Sequence, residues 1–268
     1  MKKSIIRIVI TGAAGRMGRQ LIKLLKNENN MILIAAIARK DSEYIKVDVG
    51  NFIKTKKLGV IITDSLNEII DDFDVLIDFS IPKFTLECLS FCIKKLKPMI
   101  IGTTGFNDQE KQIIINASKI IPIVYSSNFS IGANLLLKLA EKTTKIIGIN
   151  SDIEIIDLHH RNKIDSPSGT ALTIGESIAN ALGKNLKNCI SDIKNRKKGT
   201  INFTTIRAGD IVGEHTVIFA NIGEQIEIIH KVSNRATFAK GAIKASNWII
   251  DKKIGLYNMK DVLNINDL

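Results

Sequence analysis

Cysteine is scarce. Three residues, Cys88, Cys92 and Cys189, cannot all pair and match no zinc-ligand spacing. That argues against a disulfide scaffold and a cysteine-based metal site. Cys88 and Cys92 stand four apart in a helical pattern, so they share a face and read as small buried hydrophobes, and free thiols fit a reducing compartment. Long apolar runs are also missing: none approaches the roughly 18 to 20 residues that span a bilayer, which sets membrane proteins aside. The first residues, MKKSIIRIVITGAAG, carry two lysines and an apolar run, but Arg7 interrupts the run and a glycine turn follows. They read as a first strand rather than a signal peptide, and a cytoplasmic location is the default expectation. No internal repeat or low-complexity linker is visible.

The remainder is an ordinary globular composition, 45% apolar and 24% charged, over 268 residues. That length allows one large domain or two modest ones. Lys and Arg outnumber Asp and Glu by 38 to 27, a net charge of +11. A nucleic-acid partner is nevertheless not expected. The lysines are dispersed, and the single dense basic run, KNRKKG (194–199), has no aromatic neighbours for base stacking. A basic surface also helps attract a dianionic small molecule.

The first half alternates apolar strand runs with helical patterns. Strands fall at 5–10, 31–38, 73–80, 99–104 and 121–126, with helices near 18–26, 85–95 and 108–119. Continuous apolar strands separated by helices imply a parallel sheet covered on both faces, a Rossmann-like α/β domain. After residue 130 the rhythm changes. A helix near 133–145, an alternating strand over 152–160 and a helix near 170–182 precede INFTTIRAG, HTVIFANIG and EQIEIIHKV, three strands without intervening helices. That predicts an α+β unit with an open mixed sheet over 131–239, with a final helix near 238–249 returning to the first domain. Residues 1–130 and 240–268 then form the dinucleotide-binding domain, with hinges near 129–131 and 238–241.

Gly12, Gly15 and Gly18 lie three apart in ITGAAGRMGRQL, where the first strand meets the first helix. Glycine there permits positive φ and lets backbone N–H groups approach a pyrophosphate at a helix N-terminus. The alternative is a tight turn that holds no ligand. The end of the second strand selects between cofactors: a carboxylate binds the ribose hydroxyls of NAD, whereas arginine accommodates the 2′-phosphate of NADP. Here the strand ends in Ala38, Arg39 and Lys40. NADPH is therefore expected in preference to NADH, with NADH still possible.

Two of the chain's four histidines stand side by side in DLHHRNKIDSPSGTA (157–171). Histidine exchanges a proton near neutral pH, Lys163 adds a second acid, and Ser168, Gly169 and Thr170 open a helix whose N–H groups suit a carboxylate. Adjacent strand residues point to opposite faces, so His159 and His160 do not both face one cleft squarely. Zinc ligation lacks a third ligand at recognisable spacing, a serine hydrolase lacks its G-x-S-x-G elbow, and no metal is assigned. A purely structural pair, one ring capping the turn and the other packed, remains an alternative.

HHRNKIDSPSGTA resembles the signature of the 4-hydroxy-tetrahydrodipicolinate reductase (dihydrodipicolinate reductase) family, His-His-x-x-Lys-x-Asp-x-Pro-Ser-Gly-Thr-Ala, at every fixed position. GAAGRMG, DVLIDFS, IGTTGF, SNFSIGAN and RAGDIVGEH resemble family segments in the family's order, so the likeness spans essentially the whole chain. It implies an enzyme of lysine and diaminopimelate synthesis that uses NAD(P)H to reduce a small dicarboxylate with loss of water. By the same resemblance His159 is the catalytic acid/base and Lys163 a second proton donor, while His160, Gly169 and Thr170 hold substrate. Gly12, Ala13, Ala14, Gly15, Arg16 and Met17 correspond to the phosphate turn and Arg39 to the 2′-phosphate contact. Gly102, Thr103 and Thr104, with Ser126, Ser127, Asn128 and Phe129, correspond to loops near the nicotinamide. The open sheet corresponds to a tetramerisation surface, so a homotetramer is implied.

The chain departs from the family pattern at three places. Many members carry an acidic residue at the position of Ala38, a basic residue is common where Ile81 precedes Pro82, and segment 191–199 is shorter than its counterpart. Two other functions fit parts of the sequence. A different NAD(P)-dependent oxidoreductase would not need the SPSGT turn beside paired histidines. A non-catalytic dinucleotide sensor would have no reason to retain His159 and Lys163.

Overall fold

A computed structural model describes residues 5–69, 72–191 and 196–268. The chain forms two compact units, residues 1–130 with 236–264, and residues 131–235 with 265–268.

The first unit contains strands β1 (Ile6–Thr11), β2 (Met31–Ile37), β3 (Ile62–Thr63), β4 (Val75–Asp78), β5 (Met99–Ile101) and β6 (Pro122–Tyr125), joined late in the chain by β11 (Gly255–Tyr257). They form one sheet in the order β11-β6-β5-β4-β1-β2-β3 with every pair parallel. Helices α1 (Arg16–Leu25), α2 (Val49–Phe52), α3 (Pro82–Lys95) and α4 (Asp108–Ala117), with α8 (Ala236–Ile249) and α9 (Met259–Leu263), complete the unit. Runs such as VLI (75–77) and MII are apolar throughout because both faces are covered. The two-residue period then divides each strand between two cores. Ile8, Ile10 and Ile77 pack with Leu21 of α1 and Ile249 of α8, while Val9, Leu76 and Met99 pack with Leu89 of α3 and Ile114 of α4. Strand order reverses direction between β1 and β4, and open α/β sheets bind ligands outside the carboxyl ends of strands at such a switch point.

The second unit contains helix α5 (Ile131–Ile147), strand β7 (Asp152–His159), helices α6 (Gly169–Ala181) and α7 (Leu186–Cys189), and strands β8 (Thr200–Arg207), β9 (Gly213–Asn221) and β10 (Glu224–Val232). Its sheet runs β10-β9-β7-β8, with β7–β8 parallel and the other pairs antiparallel. Alternation along β7 sends Ile153 and Ile155 into a core with Leu136 of α5, Ile174 and Ile178 of α6, and Val217 and Phe219 of β9. Glu154 and Ile156 face the other way and remain partly exposed.

The sheets match the expected α/β and mixed α+β pair, and element ends differ by a few residues. The strand expected over 99–104 stops at Ile101; Gly102 makes a last bond to β4, its N–H donating to the Asp78 carbonyl at 2.8 Å, and passes against the Phe79 ring. Helix α8 begins at Ala236 rather than near 238, and residues from there to 264 cluster with the first unit. The last four residues cluster instead with the second unit, where the buried Lys138 donates from Nζ to the Asn266 carbonyl at 2.9 Å. Residues 192–195, within the shortened segment 191–199, lie outside the described residues.

Candidate active site

Two of the three glycines in the turn after β1 leave no room for a side chain. Gly12 has φ +70°, and a Cβ there would sit 2.2 Å from the Phe79 carbonyl oxygen. A Cβ on Gly18 would lie 2.4 Å from the carbonyl oxygens of Gly12 and Ala13. Gly15 caps α1 without a side-chain hydrogen bond, and the first turn carries no acidic residue. The helix therefore presents N–H groups and its positive end with nothing to repel an anion. Ala13 is fully buried and donates its N–H to the Ile37 carbonyl, so its contribution is to hold the turn on the sheet. Arg16 is exposed and Met17 half-buried.

A cavity of about 750 Å³ extends from Gly12, Ala14 and Gly15 past Ala38, Arg39 and Tyr44 to Ile81 and Lys83. Its size and its position at the carboxyl ends of β1, β2 and β4 suit the adenosine part of a dinucleotide. The lining at the β2 end runs from Ala38 through Arg39 and Lys40 to Asp41, Ser42 and Glu43. Arg39 is held by Asp41, Nε to Oδ1 3.0 Å, with both side chains largely exposed.

Gly102, Thr103, Thr104 and Ser126–Phe129 follow β5 and β6 at the same edge of the sheet, outside the lining of this cavity. A Cβ on Gly102 would lie 2.1 Å from the Phe79 ring. Thr103 is buried, its Oγ1 donating to Asp78 at 2.7 Å and accepting from the Ser80 N–H at 2.9 Å. Ser126 Oγ donates to the Asn128 carbonyl at 2.9 Å, and the buried Phe129 ring meets Phe79 edge-on at 5.5 Å. Ser127 and Thr104 are exposed. Beneath these loops lies Asp78, which no sequence signal marked. It accepts from Thr11 (2.6 Å) and Ser80 (2.5 Å) on one oxygen, and from Thr85 (2.6 Å) and Thr103 (2.7 Å) on the other.

In the second unit β7 delivers His159 at its last position, while His160 lies just beyond the strand. Asp157 and His159 are two apart and so share the face that α6 covers. His159 Nδ1 lies 2.9 Å from Asp157 Oδ1, although the ring N–H is not aligned with that oxygen, so the contact is chiefly electrostatic. The same oxygen is 3.3 Å from His215 Nε2 and accepts from Ser168 Oγ at 2.8 Å. The other oxygen accepts from the Ser168 N–H at 2.9 Å and from Arg207 Nη2 at 3.0 Å. Burial pushes the Asp157 carboxyl up, but its partners His159, His215 and Ser168 outweigh burial and hold it well below the usual carboxylate range.

Ser168 is the N-cap of α6 and accepts from the Ala171 N–H at 3.2 Å. Gly169 starts the helix, exposed, with open space around its Cα, and Thr170 follows half-buried. Lys163 pairs with Asp165, Nζ to Oδ1 2.8 Å, and Arg207 Nη2 donates to the Asp165 carbonyl at 2.7 Å. His159 and the start of α6 thus meet through Asp157, and the Lys163 loop is tied to the same carboxylate through Arg207.

Asp157, Arg207 and His215 escaped the sequence reading. In register, His215 stands opposite Asp157 on β9 and Arg207 opposite His159 on β8. Ligand atoms of Asp157, His159 and His215 lie within 4.8 Å of one another, close enough to share a cation. Arg207 already places a fixed positive charge on that carboxylate, which opposes one.

A glycine cradle with an adenosine-sized cavity in one unit, and histidine, lysine and an open helix N-terminus in the other, are the parts of a dinucleotide-dependent oxidoreductase. Residues 6–129 match the model of the dihydrodipicolinate reductase N-terminus, and residues 132–263 that of its C-terminus. The fold is similar to the dipicolinate-bound dihydrodipicolinate reductase of Paenisporosarcina sp. TG-14, at TM-score 0.80 and 25% identity over 96% of this chain and 99% of that one. More distant folds include an amine dehydrogenase from Mycobacterium smegmatis (TM-score 0.62, 10% identity, 96% and 95% covered) and aspartate semialdehyde dehydrogenase II from Vibrio cholerae (0.55, 12%, 99% and 100%). The chain belongs to the dihydrodipicolinate reductase family, NAD(P)H-dependent oxidoreductases of lysine biosynthesis. Among the described residues no helix is long and apolar enough to cross a membrane.

Proposed function

We propose that this chain reduces 4-hydroxy-tetrahydrodipicolinate to tetrahydrodipicolinate with loss of water, prefers NADPH to NADH, and acts as a cytoplasmic homotetramer. The observation that carries the reading is the start of α6, exposed at Gly169 and joined through Ser168 and Asp157 to His159. An anion held by the N–H groups of Gly169 and Thr170 has a proton donor beside it, which suits a dicarboxylate. The dipicolinate in the Paenisporosarcina structure, a small dicarboxylate, agrees with that choice.

His159 holds the proton for the ring, with Lys163 Nζ as the second donor and His160 as a further substrate contact. Reduced nicotinamide, when bound, supplies the hydride. Gly12, Ala13, Ala14, Gly15, Arg16 and Met17 form the pyrophosphate turn: Ala13 and Gly15 hold its shape through N–H bonds to the Ile37 and Gly12 carbonyls, and the first free N–H groups of α1 meet the anion. Gly102, Thr103 and Thr104, with Ser126, Ser127, Asn128 and Phe129, shape the nicotinamide side. Arg39 meets the 2′-phosphate, and Ala38 places no carboxylate at the end of β2, where NAD-binding chains hold the ribose hydroxyls. The half-exposed outer face of the β7–β10 sheet supports tetramer formation, since an uncovered sheet face and edge favour association.

The test follows cofactor absorbance while the preceding synthase makes the substrate in place from pyruvate and aspartate semialdehyde. Oxidation that requires substrate and runs faster with NADPH is expected. Absence of oxidation with either cofactor overturns the assignment, and equal rates overturn the preference alone. Light scattering in solution reads the tetramer directly.

A further inference from the structure

We infer that Asp157 is a positioning residue that sets the proton-bearing ring of His159 and the anion-binding start of α6 in register with each other. This rests on the acid role of His159. Five groups from four segments converge on one carboxylate with no exposed surface: His159 from β7, His215 from β9, Arg207 from β8, and the Ser168 N–H and hydroxyl from the start of α6. Deeper in the unit β7 and α6 meet through apolar packing of Ile153 and Ile155 on Ala171 and Ile174, whereas at the site end Asp157 joins them by charge and hydrogen bonds.

The arrangement has directional consequences. An anion 2.9 Å from Nδ1 favours the proton on that nitrogen, which leaves Nε2 as the atom that exchanges a proton with substrate. Nε2 is the nitrogen that approaches Gly213, where a Cβ would lie 3.0 Å away, so the β9 backbone leaves room for the ring in this orientation. Ser168 uses the same carboxylate to fix the cap of α6, and Arg207 balances its charge. The ring and the helix therefore share one reference point, and a displacement of either is felt by the other. The Asp157 carboxyl, held well below the usual carboxylate range by its partners, agrees with a group that stays charged throughout turnover.

The experiment compares Asp157→Asn and Ser168→Ala with His159→Gln, reading kcat, substrate KM, NADPH KM and the ¹⁵N shifts of the histidine rings. Asp157→Asn is expected to lower kcat about 10²-fold, to raise substrate KM, and to leave NADPH KM unchanged. It should also turn neutral His159 from one tautomer into a mixture, which a merely structural role would not do. Ser168→Ala, milder for folding, should raise substrate KM about fivefold with the His159 tautomer intact. Wild-type kcat and ¹⁵N shifts in Asp157→Asn overturn the inference. If that variant does not fold, an unchanged substrate KM in Ser168→Ala does so. Wild-type turnover in His159→Gln would overturn the acid role itself, whereas collapse there with Asp157→Asn unaffected would sink only the positioning role. Zinc titrated into the wild-type enzyme should bind no stoichiometric site that is lost in Asp157→Asn; such a site would make the cluster a metal centre instead.

Discussion

Each unit buries one carboxylate at or near the carboxyl end of a central strand, and the two are held by different chemistry. Asp78 is surrounded by hydroxyls, from Thr11 at the end of β1, Ser80 after β4, Thr85 in α3 and Thr103 after β5. Asp157 is surrounded by two imidazoles, a guanidinium and the cap of α6. Hydroxyls do not titrate in the working range, so the first carboxylate pins four segments around the dinucleotide turn in a way that proton transfer leaves untouched. The partners of the second carry or exchange charge, so its grip is coupled to the chemistry. One is a scaffold of hydroxyls beneath the glycine turn; the other stands among the groups proposed to transfer protons.

The largest effect expected from breaking this contrast is at the acid. His159→Gln should lower kcat by about 10² to 10⁴-fold with little change in substrate KM, because the lost group acts mainly in the transition state. Stability should hardly move. Asp78→Ala should do the reverse. Four hydroxyls lose a charged acceptor at once in a fully buried site, and a loss of about 4 kcal/mol is expected in urea unfolding. NADPH KM should rise as Ser80 and Thr103 come loose, while whatever enzyme remains folded retains its proton chemistry. A wild-type urea midpoint in Asp78→Ala would mean the hydroxyls re-pair among themselves and the scaffold reading is wrong.

The contrast was half legible in the sequence. Apolar runs and glycine spacing located β1, the phosphate turn and the paired sheet types, because those signals are local. His159, Lys163 and Ser168–Thr170 were legible for the same reason, being contiguous. Asp78 was hidden inside DVLIDFS, where it reads as a strand end, since its four partners come from separate segments. Asp157 was printed two residues before His159, yet its meaning depends on His215 and Arg207, which only the pairing register of β9 and β8 brings to it. The short β3 and β11 were missed because two or three residues show no periodicity.

A smaller effect at Asp157 is read by pH. Folding lowers Asp157 from its ordinary 3.8, so as acid is added the unfolded chain takes up the proton first. The stability it contributes is complete above about pH 4 to 5 and is lost as pH falls further, at up to about 1.4 kcal/mol per pH unit. In Asp48 and Asp74 burial is the largest single influence and raises the carboxyl, but backbone N–H groups around Asp48 and Arg7 beside Asp74 together outweigh it, so both are lowered as well. The wild-type acid limb is therefore a sum, and the difference between wild type and Asp157→Asn isolates the one group. Urea midpoints between pH 6 and 3 should fall less steeply in the variant. Parallel curves would show that Asp157 is no better paired in the folded chain than in the unfolded one.

The smallest expected effect lies in the first unit, away from both carboxylates. Ala38 is 3% exposed yet lines the cavity next to Arg39, whose guanidinium already leans on Asp41. A carboxylate at position 38 would offer Arg39 a second partner and the ribose hydroxyls an acceptor, while repelling a 2′-phosphate. Ala38→Glu should therefore shift the ratio of kcat/KM for NADPH over NADH about tenfold toward NADH, ~1.4 kcal/mol. Turnover with saturating NADH should stay near wild type, because nothing near His159 changes. If the ratio does not move, position 38 does not face the ribose. Discrimination would then rest on the Arg39–Asp41 pair, and Asp41→Asn, which frees Arg39 for the phosphate, becomes the substitution that raises it.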